Sequence, residues 1–152
     1  PFQKRWLLHF MRKARAQNLT GFTFHNTASL RTILPVNTRL TYQYRDGSNY
    51  KQWDEVIVSG SLDRDTNARY LWEGDFFIPQ AVGLPALQDR FAAQGYDFPN
   101  EDDHAWHEVE SIEPTEESPT IDTTAADLAQ RFKDAATRGW EKNLEDLIAG
   151  RI

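Results

Sequence analysis

The chain has no cysteine among its 152 residues. That excludes a disulfide framework, thiolate metal sites and a cysteine nucleophile, and it suits a reducing compartment. No hydrophobic run reaches the ~18 residues that would mark a membrane-spanning helix. Gly-x-Gly-x-x-Gly, a phosphate-binding loop and a Gly-x-Ser-x-Gly elbow are all missing, which leaves nucleotide binding and serine hydrolysis without sequence support. The most informative absence is local. The first 36 residues contain no Asp or Glu, yet carry Lys4, Arg5, Arg12, Lys13, Arg15 and Arg31. All 23 acidic side chains lie from Asn37 onward, with the remaining 11 of the 17 basic ones. A basic arm of formal charge +6 is thus joined to a body of −12, a split hidden by the net value of −6. Such asymmetry points to an arm that docks on something negative.

What is present is enough for a core. Hydrophobic residues make up 39% of the chain and aromatics 12%, too much for wholesale disorder, and the length suits one domain with an extension. Residues 2–17 read as a basic amphipathic helix. Phe2, Trp6, Leu7, Phe10, Met11 and Ala14 share one half of the helical wheel, and Lys4, Arg5, His9, Arg12 and Arg15 take the other, with Leu8 among them and Lys13 out of place. Such a helix fits packing on its own domain, docking on protein or nucleic acid, or lying at a membrane surface. Its acid-free, Arg-rich composition also matches an organelle transit peptide. Residues 18–36 read as an extended connector ending near Pro35.

The body begins at Asn37. Thr38, Leu40, Tyr42 and Tyr44 alternate with Arg39, Thr41, Gln43 and Arg45, the period of a half-buried strand. Asp46-Gly47-Ser48-Asn49 predicts a tight turn with positive φ at Gly47, and Trp53–Ser59 the returning strand. Asp63 or Ser61 caps a short helix running to about Glu73, where Gly74 stops it. Asp75–Pro79 is extended. A second helix follows Pro85 and ends at Gly95, and His104–Ile112 is a third strand. Residues 113–122 read as an acidic linker. Thr124 and Asp127 resemble a capping box opening a long C-terminal helix over 124–149, which Gly139 bends or splits. The expected fold is α+β: a β-hairpin plus at least one further strand, helices on one face, and a C-terminal helix.

Three blocks occur in order: Tyr44-Arg45-Asp46-Gly47-Ser48-Asn49-Tyr50-Lys51; Phe76-Phe77-Ile78-Pro79 with Val82-Gly83-Leu84-Pro85-Ala86-Leu87; and Asp103-His104-Ala105-Trp106-His107-Glu108. In these blocks the chain resembles a group of small uncharacterised bacterial proteins. The resemblance covers about residues 37–115 and omits the arm. It supports the domain boundary and implies no activity.

His104, His107 and Glu108 are the candidates for chemistry, since imidazoles and carboxylates suit Zn, Mn or Fe. On a strand, however, an odd spacing sends His104 and His107 to opposite faces, so the expectation is no metal. From Glu101 to Glu117 eight acidic residues occur without a basic one. They read as a solvated surface, with a receiver for a basic arm or a nucleic-acid mimic as alternatives. Tyr42, Tyr44 and Tyr50 beside Arg39, Arg45 and Lys51 could form a base-stacking platform, but the acidic body disfavours it and a core role is expected.

The sequence therefore predicts a non-enzymatic interaction or accessory protein, soluble and intracellular, in a bacterial cytoplasm or organelle matrix. Its arm would bind a protein or ribonucleoprotein assembly, or nucleic acid directly, through Lys4, Arg5, Arg12, Lys13 and Arg15, with Trp6 and Phe10 as anchors. No cofactor and no small-molecule substrate are implied. The rivals are a metal-dependent enzyme centred on His104, His107 and Glu108, and an acidic nucleic-acid mimic.

Overall fold

The computed structural model describes residues 36–152. The expected helix over 2–17 and its docking residues Lys4, Arg5, Trp6, Phe10, Arg12, Lys13 and Arg15 lie outside the described residues. The body is α+β. Its elements are β1 (Asn37–Arg45), β2 (Lys51–Val58), α1 (Arg64–Ala68), β3 (Phe76–Phe77), a 3-10 turn (Pro79–Val82), α2 (Asp89–Ala93), β4 (His107–Thr115), α3 (Ala125–Arg138) and α4 (Trp140–Ile148). The strands form one antiparallel sheet in the order β2-β1-β4-β3.

Alternation sets the two faces of this sheet. Thr38, Leu40, Tyr42 and Tyr44 lie opposite Val58, Val56, Asp54 and Gln52 on β2, and Leu40, Tyr42 and Tyr44 are buried in the core. Across β4, Tyr42 meets Val109 and Tyr44 meets His107, after a register shift between Thr41 and Tyr42. Against this layer pack Leu128 and Phe132 of α3, Ile78 and Val82 around the 3-10 turn, and Leu87 and Phe91 near α2. Phe77 and Phe132 meet edge to face at 5.5 Å, an arrangement favoured by the aromatic quadrupole. The other face is polar, with Arg39 paired to Glu55 and Glu117, and Arg45 reaching Glu108.

Three expectations change in detail, and of the bend or split expected at Gly139 the split is the one that occurs. The hairpin is present, but its turn is built differently: Asn49, not Gly47, has positive φ, at 71°. The helix expected to reach Glu73 ends at Ala68, because Trp72 and Phe76 close a tight turn with two backbone bonds, 2.7 and 2.9 Å, that feed β3. The stretch read as an acidic linker is engaged on both sides. β4 runs to Thr115. Beyond it, Thr120 supplies a donor and an acceptor to the backbone of Ile57, 2.9 and 2.8 Å, along the open side of β2. That satisfies the Ile57 position of a strand edge that would otherwise invite intermolecular pairing. Finally, the long C-terminal helix is two. Gly139 (φ 96°, ψ 130°) leaves the helical region, and the buried Asn143 amide bridges the break by donating to Ala135 O and Gly139 O at 2.8 and 2.9 Å. The capping box at the start of α3 forms as expected: Thr124 Oγ1 accepts from Asp127 N–H at 3.1 Å and donates to Asp127 Oδ2 at 2.8 Å.

Candidate functional site

The blocks singled out in the sequence converge at one end of the sheet, where the β1–β2 turn meets the loop from Gly95 to His104. Asp46 organises the turn. Its N–H donates to Tyr50 O at 3.0 Å, its carbonyl accepts from Asn49 N–H at 3.1 Å, and its Oδ1 accepts from Tyr50 N–H at 2.8 Å. The opposing loop is tied by Asn100, whose N–H donates to Asp103 Oδ2 at 2.8 Å and whose Oδ1 accepts from Asp102 N–H at 2.8 Å. Two bonds join turn to loop: Gly47 N–H to Asp102 O at 2.9 Å, and Ser48 Oγ–H to Asp102 Oδ2 at 2.5 Å. Here Gly47 is needed for close approach. A Cβ at that position would sit 2.9 Å from Asp102 Oδ1, nearer than a side chain tolerates.

Between turn and loop lies a cleft of about 190 Å³. Its apolar walls come from Tyr50, Phe91, Tyr96 and Phe98, and its carboxylates from Asp46, Asp97, Asp102 and Asp103. Tyr50 and Tyr96 lie 5.6 Å apart by ring centroid, and Tyr96 stands edge-on to Phe91 at 5.5 Å. The two tyrosines remain 52% and 49% exposed, so their rings face solvent as well as each other. Among the described residues no Lys or Arg lines the cleft, and none of its four carboxylates belongs to an ion pair.

Beneath the cleft is a buried polar shell. Tyr44 Oη–H donates to Asp103 Oδ1 at 2.8 Å and accepts from His104 N–H at 3.2 Å. The Tyr44 ring touches both imidazoles, with centroids 5.1 Å from His104 and 5.2 Å from His107. His107 Nε2 accepts from Leu87 N–H at 2.9 Å, so its other nitrogen carries the proton toward Ala105 O, 3.1 Å away. Burial pushes His107 down to about 3 and lowers His104 as well; it also raises the Tyr44 hydroxyl. All three are therefore neutral near pH 7.

His104 and His107 are not sent to opposite faces, because β4 starts at His107 and His104 lies in the preceding loop, where alternation does not operate. Both rings turn toward Tyr44. Glu108 points to the other side of the sheet, accepting from Gln43 Nε2 at 2.9 Å and lying 4.0 Å from Arg45. Desolvation raises its carboxyl, with Arg45 acting in the opposite direction. The three candidates are thus not collected at one point, and among the described residues no group of three or more His, Asp or Glu is placed to hold a metal.

Sequence reading missed the wall. Tyr96-Asp97-Phe98 alternates ring and carboxylate just after the Gly95 stop, and that short loop signal was available. Tyr50 was grouped with core tyrosines but lies past the end of β1, where strand alternation no longer buries it. Compared with protein-family models, curated proteins and solved structures, the chain matches none. Among the described residues no helix is long and apolar enough to cross a membrane.

Proposed function

We propose that this is a non-enzymatic interaction protein whose basic segment docks on an acidic or nucleic-acid-containing assembly. The observation that carries the reading is charge segregation: six basic and no acidic side chains before Asn37, against 23 acidic and 11 basic ones after it. Long-range attraction from so one-signed a segment steers an anionic partner, and Trp6 and Phe10 supply apolar anchors. The buried imidazoles support the same reading, because both are committed to internal packing and hydrogen bonds and neither is offered as a base. An intracellular, soluble setting accompanies this proposal, as does membership of the small bacterial group that shares the three blocks.

The test is salt dependence. If phosphates are the target, neutralising Lys4, Arg5, Arg12 and Lys13 together should flatten the log–log salt slope of binding by about 3–4 units, at roughly 0.9 per phosphate contact. If the target is an acidic protein surface, the salt effect is milder and Trp6→Ala weakens binding comparably. Deletion of residues 1–17 without change in any co-purifying partner would overturn the reading.

A further inference from the structure

We infer that residues 84–94 form a flap released by acid, latched to the sheet through the bond from Leu87 N–H to His107 Nε2. The inference stands on residues 42–108 alone and goes beyond the role proposed for residues 1–17.

The first observation is the latch. His107 is 1% exposed, and both its ring nitrogens are committed. Nε2 accepts from Leu87 N–H at 2.9 Å, and Nδ1 lies 3.1 Å from Ala105 O, to which it can only donate. A second proton would sit on Nε2 and face the Leu87 N–H, donor against donor. The rings of Tyr44, Tyr42 and Phe77 surround the imidazole, with centroids 5.2, 6.1 and 6.2 Å away. The charged and titratable groups described around it are turned elsewhere. The Tyr44 and Tyr42 hydroxyls donate to Asp103 and to Pro85 O. Glu108, next along β4, lies on the other face with Gln43 and Arg45, and Asp75 pairs with Arg64. On the flap itself Asp89 is exposed and Arg90 pairs with Asp54. His104, like burial, opposes protonation of the ring.

The second observation is how the flap is held. Residues 84–94 contribute no strand to the sheet. Side chains tie them to it instead. Tyr42 Oη–H donates to Pro85 O at 3.0 Å, His107 takes the Leu87 N–H, Arg90 reaches Trp53 O at 2.9 Å, and Gln52 meets Gln94 at 2.8 Å. Glycines of positive φ stand at the two ends, Gly83 at 72° and Gly95 at 85°, where the chain can turn as a hinge with little strain. Underneath, Leu84, Leu87 and Phe91 are buried, and Phe91 stands edge-on to Tyr44 at 5.8 Å. A proton on His107 therefore breaks a bond between flap and β4 and favours uncovering an apolar surface. Buried imidazoles at packed contacts respond to acid in this way.

The sign follows from the two states. Burial holds the latched imidazole down to about 3, whereas a solvated one titrates near 6.5. Opening is favoured as pH falls through about 6.5 and gains nothing further below about 3. Between pH 7 and 4.5 the ratio of open to closed flap should rise about a hundredfold.

The experiment is amide exchange of the full chain, followed by NMR from pH 7 to pH 4.5. Expected are protection factors at Leu87, Phe91 and Gln94 that fall about a hundredfold over this range and stay below those of Leu40 and Val56 at each pH. His107→Gln, whose amide oxygen can accept from Leu87 N–H at any pH, should lose most of that fall. Equal protection of flap and strands at every pH would overturn the flap, since the segment would then leave only with the whole fold. A fall of that size persisting in His107→Gln would overturn the latch. Where that variant does not fold, the parent chain decides: a His107 ring that titrates while Leu87 keeps its protection would overturn the latch as well. None of these outcomes touches the docking of residues 1–17, whose test uses separate variants.

Discussion

Tyr44 and Tyr96 are the same residue type placed within one small region, and they meet opposite fates. Tyr44 is fully buried, with its hydroxyl shared between Asp103 and the His104 N–H. Tyr96 is half exposed, and its described contacts are to Tyr50 and Phe91. The histidines repeat the lesson: chemically versatile groups are spent on a neutral, hydrogen-bonded interior beneath the cleft. What distinguishes the two layers is not composition but whether a side chain's polar atoms are satisfied internally. The inner layer holds the loop in place, and the outer layer keeps half of its ring surface in solvent.

If this division holds, damage should be large in the inner layer and slight in the outer one. The largest effect is expected for Phe77→Ala, which removes a fully buried ring packed on Phe132 and Tyr42. About 3–5 kcal/mol of stability should be lost, measured by denaturant unfolding, from transfer and cavity terms together. A loss under 1 kcal/mol would mean that the layer repacks and the comparison has no inner member.

Acid should act next. His107 is held down to about 3, chiefly by burial, whereas an unfolded histidine titrates near 6.5. The unfolded state therefore binds the extra proton between those values. Stability is fully present above about pH 6.5 and falls as pH drops toward 3, by about 2–3 kcal/mol between pH 7 and 4.5 from this group alone. Unfolding free energies across that range check it, and His107→Gln should flatten the curve. A profile equally steep in that variant would assign the acid response elsewhere.

The strands were legible because alternation of Thr38, Leu40, Tyr42 and Tyr44 against polar neighbours is a local signal. The Thr124 cap and the Gly139 break were legible for the same reason. Other features depended on contacts distant in sequence. Gly47 looked like a positive-φ glycine, but Asp102, 55 positions along the chain, explains it. The acidic run after Glu113 looked free because nothing local reveals that Thr120 bonds Ile57 on the edge of β2. The cleft was invisible for a related reason. Its walls come from a turn and a loop that meet only through the fold, and neither Tyr50 nor Tyr96 carries a periodic pattern.

Two substitutions probe the seam between the layers. Tyr44→Phe removes the hydroxyl that serves Asp103 Oδ1 and the His104 N–H, both part-buried. About 2 kcal/mol should be lost, with the cleft-side resonances of the Gly95–His104 loop shifting in NMR spectra. Gly47→Val adds branched bulk where Asp102 already closes on the turn. The expected cost is about 1 kcal/mol, since the Asp102 side chain can yield only by giving up its bond from Ser48. If Gly47→Val were neutral while Tyr44→Phe was not, the turn and loop would be joined through Tyr44 rather than through the Gly47 contact.

The smallest effect is the most discriminating. Tyr96 buries no hydrogen-bonding group and belongs to the exposed pair with Tyr50. Tyr96→Ala should therefore change folding stability by no more than about 0.5 kcal/mol, the range expected for a surface position away from caps and cores. A change that small is what separates a surface ring from a structural one. Should Tyr96→Ala instead destabilise by 2 kcal/mol or more, on the scale set by Tyr44→Phe, the outer ring would belong with the inner layer. The aromatic wall would then be packing, and the contrast between the two tyrosines would lose its functional meaning.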